Sequence, residues 1–157
     1  HQKFSDAETQ RATVLLKKLA VPHLADRPYG AMSTGQQRRL LLGRALVHDP
    51  GTLILDEPTT GLDLPAAFHY LDVIRDLIRT GKTILLATHH IHEIPPEIER
   101  VVLLKDGKIF ADGARATVLT STTLSLLFEA PIELVQMNGC LQAFPANRTN
   151  SGSRTTG

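Results

Sequence analysis

Along the chain, apolar positions switch between a helical and a strand period. Ser5-Asp6-Ala7-Glu8 reads as a capping box, with the Ser oxygen and Glu carboxylate satisfying free amides at a helix start. Val14, Leu15 and Leu19 then form an apolar stripe, which predicts a helix from Asp6 to Ala20. A connection containing Pro22, Pro28 and Gly30 follows. The run MSTGQQRRLLLGRALVHDP predicts a second helix from Thr34 to Val47, stopped ahead of Pro50. Leu40, Leu41, Ala45 and Val47 make its expected apolar face, and Arg38, Arg39 and Arg44 are turned outward or toward a partner.

Beyond Pro50 the pattern alternates. Thr52 to Asp56 is a short apolar run, Pro65 to Arg79 has Leu71, Ile74 and Ile78 at helical spacing, and Thr83 to Thr88 is apolar again. Strands apolar on both faces and separated by helices predict an α/β fold with a parallel sheet. Asp106-Gly107 and Asn138-Gly139 sit between β-rich runs as two-residue hairpin turns, one joining 100–105 to 108–111, the other 132–136 to 140–144. Ala116 to Phe128 reads as a shorter helical stretch, and the Ser/Thr/Gly-rich tail from residue 146 lacks apolar periodicity, which predicts disorder.

Composition narrows the class. A chain of 157 residues, 42% hydrophobic and 21% charged, has the balance of one ordinary globular domain. Its formal net charge of +1 offers no electrostatic case for wrapping nucleic acid. The single cysteine, Cys140, makes no internal disulfide, which fits a reducing compartment, and is expected to pack as a small buried hydrophobe. No apolar run approaches the roughly 20 residues that span a bilayer, so a membrane role would go through a partner. The chain starts at His1 almost directly on a helix and reads as a piece of something longer.

The segment LILDEPTTGLD, Leu53 to Asp63, carries the most chemistry. In open α/β sheets ligands sit beyond the carboxyl ends of the strands. Adjacent strand residues point to opposite faces, so Asp56 and Glu57 are expected to do different jobs. A strand-terminal Asp suits Mg²⁺, a hard cation that keeps waters and shares phosphate oxygens. The following Glu is placed to hold a water for attack on a terminal phosphate. Ser33 and the Gly35 amide at a helix N-terminus form the elements of an anion site.

In order and spacing, LILDEP, TTGLD, MSTGQ and LLATHH resemble the Walker B segment, D-loop, signature sequence and switch-histidine strand of the ATP-binding subunits of ABC transporters. The resemblance runs from about Ser33 to Gly113. It implies a P-loop NTPase-like parallel sheet with flanking helices, present as a partial domain. Residues 1–50 would belong to the helical signature subdomain, 51–113 to the catalytic core and 114–145 to a C-terminal extension with β-hairpins.

By the same resemblance, Asp56 partners Mg²⁺ through water, Glu57 is the general base and His89 contacts the γ-phosphate. Ser33, Gly35 and Gln36 reach the ATP held by a second ATPase subunit, and Asp63 lies at the interface between the two. The implied cofactors are ATP and Mg²⁺. The implied partners are that second subunit and a transmembrane permease, with no nucleic acid, at the cytoplasmic face of the membrane. The segment LLFEAPIELVQMNGCLQAFP is similar to the C-terminal extension of importer ATPases for metal chelates, vitamin B12 or molybdate.

Two departures stand out. The family's usual Leu and first Gly of the signature are Met32 and Thr34 here, and a β-branched Thr34 would resist a positive φ. No G-x-x-x-x-G-K-[ST] phosphate loop occurs in these residues, nor does the Q-loop expected upstream of the signature. Gly81-Lys82 is a decoy, because residue 76 is Asp rather than Gly and Gly81 reads as a helix cap. The histidines of HHIHE, residues 89–93, lack zinc spacing. Two other readings stay open: an ABC-class ATPase acting on nucleic acid or the ribosome, and a truncated, non-catalytic fragment.

Overall fold

The computed structural model describes residues 5–146, so almost all of the polar tail lies outside the described residues. The chain divides into two compact units between Glu97 and Ile98.

The first unit opens with α1, Asp6–Lys18. Ser5 caps it through the expected box: its hydroxyl accepts from the Glu8 N–H, and the Glu8 carboxylate accepts from the Ser5 N–H at 2.8 Å. The helix ends two residues before the sequence-based boundary because Ala20 turns to φ +55. The Ala20 and Val21 amides then donate back to the Lys17 and Leu16 carbonyls, a Schellman closure. Val14 is exposed, and Leu16 instead joins Leu15 and Leu19 against the core.

Helix α2, Thr34–Leu46, is rotated from the expected phase. Leu42, Gly43 and Leu46 are buried, while Leu41 and Ala45 are exposed. The reason is the approach of the Leu19 side chain, just beyond α1: a Cβ on Gly43 would stand 2.8 Å from Leu19 Cδ1, so any larger residue there makes that leucine shift.

Strand β1, Thr52–Asp56, pairs in parallel with β2, Thr83–Ala87, with Leu53 opposite Ile84 and Asp56 opposite Ala87. Helix α3, Leu64–Arg79, connects them. One face of this two-stranded sheet, with Leu53 and partly buried Leu55 and Ile84, shares a core with Tyr70, Val73, Ile74 and Leu77 of α3 and with Leu42 and Leu46 of α2. The other face leaves Ile54 73% and Leu85 60% exposed, so among the described residues the parallel sheet is covered on one side only. Gly81, at φ +87, closes α3 by donating to Ile78 O while Lys82 N donates to Leu77 O.

The α3 face differs by one position from the pattern reading, because Tyr70, Val73 and Leu77 are buried beside Ile74 and Leu71 and Ile78 flank them. Glu97 is tied to this helix, accepting from Arg75 Nε at 3.1 Å and Arg79 Nη2 at 2.5 Å. Burial pushes the Glu97 carboxyl up, but its own backbone amide and the two guanidinium groups outweigh this and hold it below the usual range. A depressed folded-state pKa contributes stability above the unfolded value, which is lost as pH falls through the folded one. Glu97→Gln is therefore expected to cost about 1–2 kcal/mol at neutral pH. The gap between the two unfolding curves in urea should close below about pH 4.

The second unit holds two antiparallel hairpins. Strands β3, Arg100–Lys105, and β4, Lys108–Ala114, turn through Asp106 and Gly107 at φ +51 and +71. Strands β5, Ile132–Met137, and β6, Cys140–Pro145, turn through Asn138 and Gly139 at φ +53 and +80. Two positive φ values in a row are the signature of the hairpin turn that Asx-Gly favours.

The expected helix from Ala116 to Phe128 is two helices, α4, Arg115–Val118, against β3 and β4, and α5, Ser121–Phe128, against β5. Thr120 breaks them apart by capping α5 through the Thr123 N–H. Cys140 is exposed rather than packed, because it opens β6 directly beside the turn.

Candidate functional site

The site is built where β1 and β2 end. Asp56 closes β1 on the exposed face of the strand. It lines a groove with Arg38, Leu41, Ile54, Pro58 and Tyr70. Tyr70 is buried, and desolvation pushes its phenol up to about 12, against a smaller downward pull from Arg38, so it stays neutral beside the Asp.

Glu57 leaves the strand at φ +41, an unusual backbone for a residue with a Cβ. Three contacts hold it there. Its N–H donates to Ala87 O at 2.8 Å, its carbonyl accepts from Arg38 Nη1 at 2.8 Å, and its Oε2 accepts from the Thr60 hydroxyl at 3.1 Å. Asp56 is thus the last residue of β1, and Glu57 lies just beyond the strand in a left-handed turn.

His89 follows the end of β2, and its Nδ1 lies 2.5 Å from Glu57 Oε1. Both side chains are substantially exposed, at 60% and 41%. The hydrogen bond with His89 holds the Glu57 carboxyl below the usual range against an upward push from desolvation, and Thr60 adds a smaller downward pull. The glutamate is therefore a carboxylate at neutral pH, able to accept a proton. The His89 and His90 rings lie 3.8 Å apart and tilted.

The signature residues stand at the start of α2. Ser33 Oγ accepts from Gln36 N at 3.3 Å and Gln36 Oε1 accepts from Ser33 N at 3.0 Å, so both side chains are used in a capping box. Thr34 is the first helical residue and is absent from the positive-φ positions, which removes the strain anticipated for a β-branched side chain there. Gly35 faces α3: a Cβ on it would lie 3.3 Å from Leu62 and 3.7 Å from Ala66.

Asp63 caps α3, with Oδ1 accepting from Ala66 N at 2.9 Å. Asp63→Ala is expected to cost about 0.5–2 kcal/mol of stability, read from the shift in the urea midpoint.

The geometry thus brings Asp56, Glu57 and His89 together at one sheet end and places Ser33, Gly35, Gln36 and Asp63 at two helix starts. The sequence pattern turns Arg38 outward or toward a partner, whereas the fold turns it to the Glu57 carbonyl. Position in the chain carries no signal for it, since the partner is 19 residues away. Arg39 bonds within its own helix, to Gly35 O, and Arg44 is exposed.

Among the described residues no group of three or more His, Cys, Asp or Glu side chains converges as a metal cage. One strand-end carboxylate in an open groove instead suits a cation that arrives with its own waters and phosphate oxygens, which is the habit of Mg²⁺.

Comparison with known proteins gives a consistent result. Residues 1–60 match the family model described as ABC transporter. The ABC transporter ATP-binding protein YlmA of Bacillus subtilis (strain 168) is 41% identical over 128 residues, covering 80% of this chain and 48% of its own length. A metal-chelate type ABC transporter solved in an inward-facing conformation superposes with a TM-score of 0.79 at 28% identity, covering 94% of this chain and 60% of that one. A dimeric bacterial ABC transporter cassette gives a TM-score of 0.63 at 29% identity, over 73% of this chain and 50% of that one. The chain spans about half the length of the curated relatives it matches. On these likenesses, and with its strand-end carboxylates and His89 in one place, the chain belongs to the ABC transporter ATP-binding family.

Proposed function

We propose that the chain is the signature-to-switch part of an ATP-hydrolysing subunit that powers transport across a membrane. The observation that carries this reading is the contact between the Glu57 carboxylate and His89 at the carboxyl ends of two parallel strands. Glu57 acts as the general base: kept ionised by His89 and Thr60, it orients a water for in-line attack on the γ-phosphate and takes its proton. His89 contacts the γ-phosphate through the ring edge that Glu57 leaves free. Asp56 would hold Mg²⁺ through water, and that ion, when bound, would neutralise charge on the phosphate oxygens.

Ser33, Gly35 and Gln36 face the ATP of a second subunit in a head-to-tail dimer, with Asp63 at the shared boundary. The dimeric cassette of known structure supports a paired arrangement. The described residues contain no helix long and apolar enough to cross a membrane. By likeness to relatives named as transporter ATP-binding proteins, a transmembrane permease is assigned as the partner, with the ATPase at the cytoplasmic face of the membrane. Relatives named as transporter ATP-binding proteins favour this over action on nucleic acid. Phosphate release by the full-length polypeptide containing this chain, with Glu57 intact and replaced, is the deciding measurement.

A further inference from the structure

One buried carboxylate in the first unit has no part in the chemistry assigned above. Glu93 ends the short 3₁₀ helix Ile91–Glu93 and is only 4% exposed. Burying a carboxylate is costly unless hydrogen bonds replace its lost water. Both of its recorded hydrogen-bond partners are neutral hydroxyls. Oε1 accepts from Thr59 Oγ1, and Oε2 accepts from Thr88 Oγ1 at 2.6 Å.

The identity of those partners is what gives Glu93 its meaning. Thr59 lies two residues after Glu57, and Thr88 lies one residue before His89. Both hydroxyls donate to its carboxyl oxygens. The Thr88 oxygen is then left to accept, and it does so from the His90 N–H at 3.0 Å. The backbone is thereby pinned on both sides of His89, and the turn after Glu57 is tied to the same anchor. Glu57 and His89 themselves are too exposed for packing to fix their separation.

We propose that Glu93 is a positioning residue: by accepting the Thr59 and Thr88 hydroxyls it joins the segments that carry Glu57 and His89 and sets the distance between carboxylate and imidazole. The inference rests on the reading of Glu57 as general base. It concerns reaction geometry rather than nucleotide affinity, since Glu93 is buried away from solvent.

The test uses the full-length ATPase polypeptide containing this chain, with kcat and KM for Mg-ATP measured for Glu93→Ala, Glu93→Gln and Thr88→Val. Displacement of a reacting group by about an ångström costs up to ~100-fold, so Glu93→Ala should lower kcat by ~10- to 100-fold with KM changed by less than about threefold. Glu93→Gln, whose amide oxygen accepts one hydroxyl and whose NH₂ donates to the other, should recover to within about fivefold of wild type. In a Glu57→Gln background Glu93→Ala should have no further effect, because residues acting as one unit are not additive. A folding defect would reduce both backgrounds alike.

If Glu93→Ala does not fold, Thr88→Val, which removes one of the two bonds at nearly constant volume, carries the same kcat prediction at smaller size. Wild-type kcat in Glu93→Ala or, failing that, in Thr88→Val, together with an inactive Glu57→Gln, overturns the positioning role and leaves the base standing. Equal losses in both backgrounds, or a loss confined to KM, also overturn it. If Glu57→Gln turns over like wild type, the base assignment falls first.

Discussion

Glu57→Gln is expected to lower ATP turnover by the full-length polypeptide by ~100- to 10,000-fold, the range for loss of a positioned base. The substitution keeps volume and most hydrogen bonding. The glutamine oxygen still accepts from Thr60 or from His89, and the backbone contacts to Ala87 and Arg38 do not involve the side chain. What disappears is the ability to take a proton at neutral pH. Binding of Mg-ATP should therefore survive, and steady-state phosphate release should not. If turnover persists within about tenfold of wild type, Glu57 is not the base, and the 2.5 Å contact with His89 is a structural hydrogen bond.

The second large effect is expected in the opposite direction, as missing affinity. Calorimetric titration of the 157-residue chain with Mg-ATP should show no site tighter than about 1 mM, a binding free energy of only about −4 kcal/mol. A phosphate loop supplies a run of backbone amides and a lysine around the β- and γ-phosphates, and no segment of this sequence has that form. The one Gly-Lys pair followed by Ser or Thr, Gly81-Lys82-Thr83, is committed elsewhere. Gly81 closes α3, and Lys82 Nζ donates to Asp49 Oδ1 at 2.7 Å and to Pro50 O at 2.8 Å. The Ser33 and Gln36 side chains are likewise occupied in capping their own helix. A stoichiometric micromolar signal would mean that the strand-end acids and helix starts bind nucleotide without a cradle, contrary to the site described.

Different parts of the molecule were legible to different degrees. Both hairpins follow from Asp106-Gly107 and Asn138-Gly139, since a turn that needs two positive φ values selects its residues locally. The two capping boxes are equally local, each spanning four residues. Strand β1 ends where Asp56 interrupts the apolar run, and the order of carboxylates, signature and histidine was sufficient to identify the family. The break at Thr120 was less visible, because Thr is tolerated inside a helix and reveals itself as a cap only when its hydroxyl finds the Thr123 amide.

The sequence by itself determined the elements, their turns and the residue types at the two strand ends, because hydrophobic period and turn chemistry act over a few neighbouring residues. Only the tertiary structure decided which stripe of α2 is buried, since that depends on Leu19 arriving against Gly43 from just beyond α1. It alone sent Arg38 to the Glu57 carbonyl and joined Thr59 to Thr88 through Glu93. It also placed Cys140 in the open beside a turn. Each of these outcomes is a contact between segments distant in the chain or a local exposure that depends on them. A linear pattern records what each residue is able to do, whereas the partner it meets is set by how the elements pack.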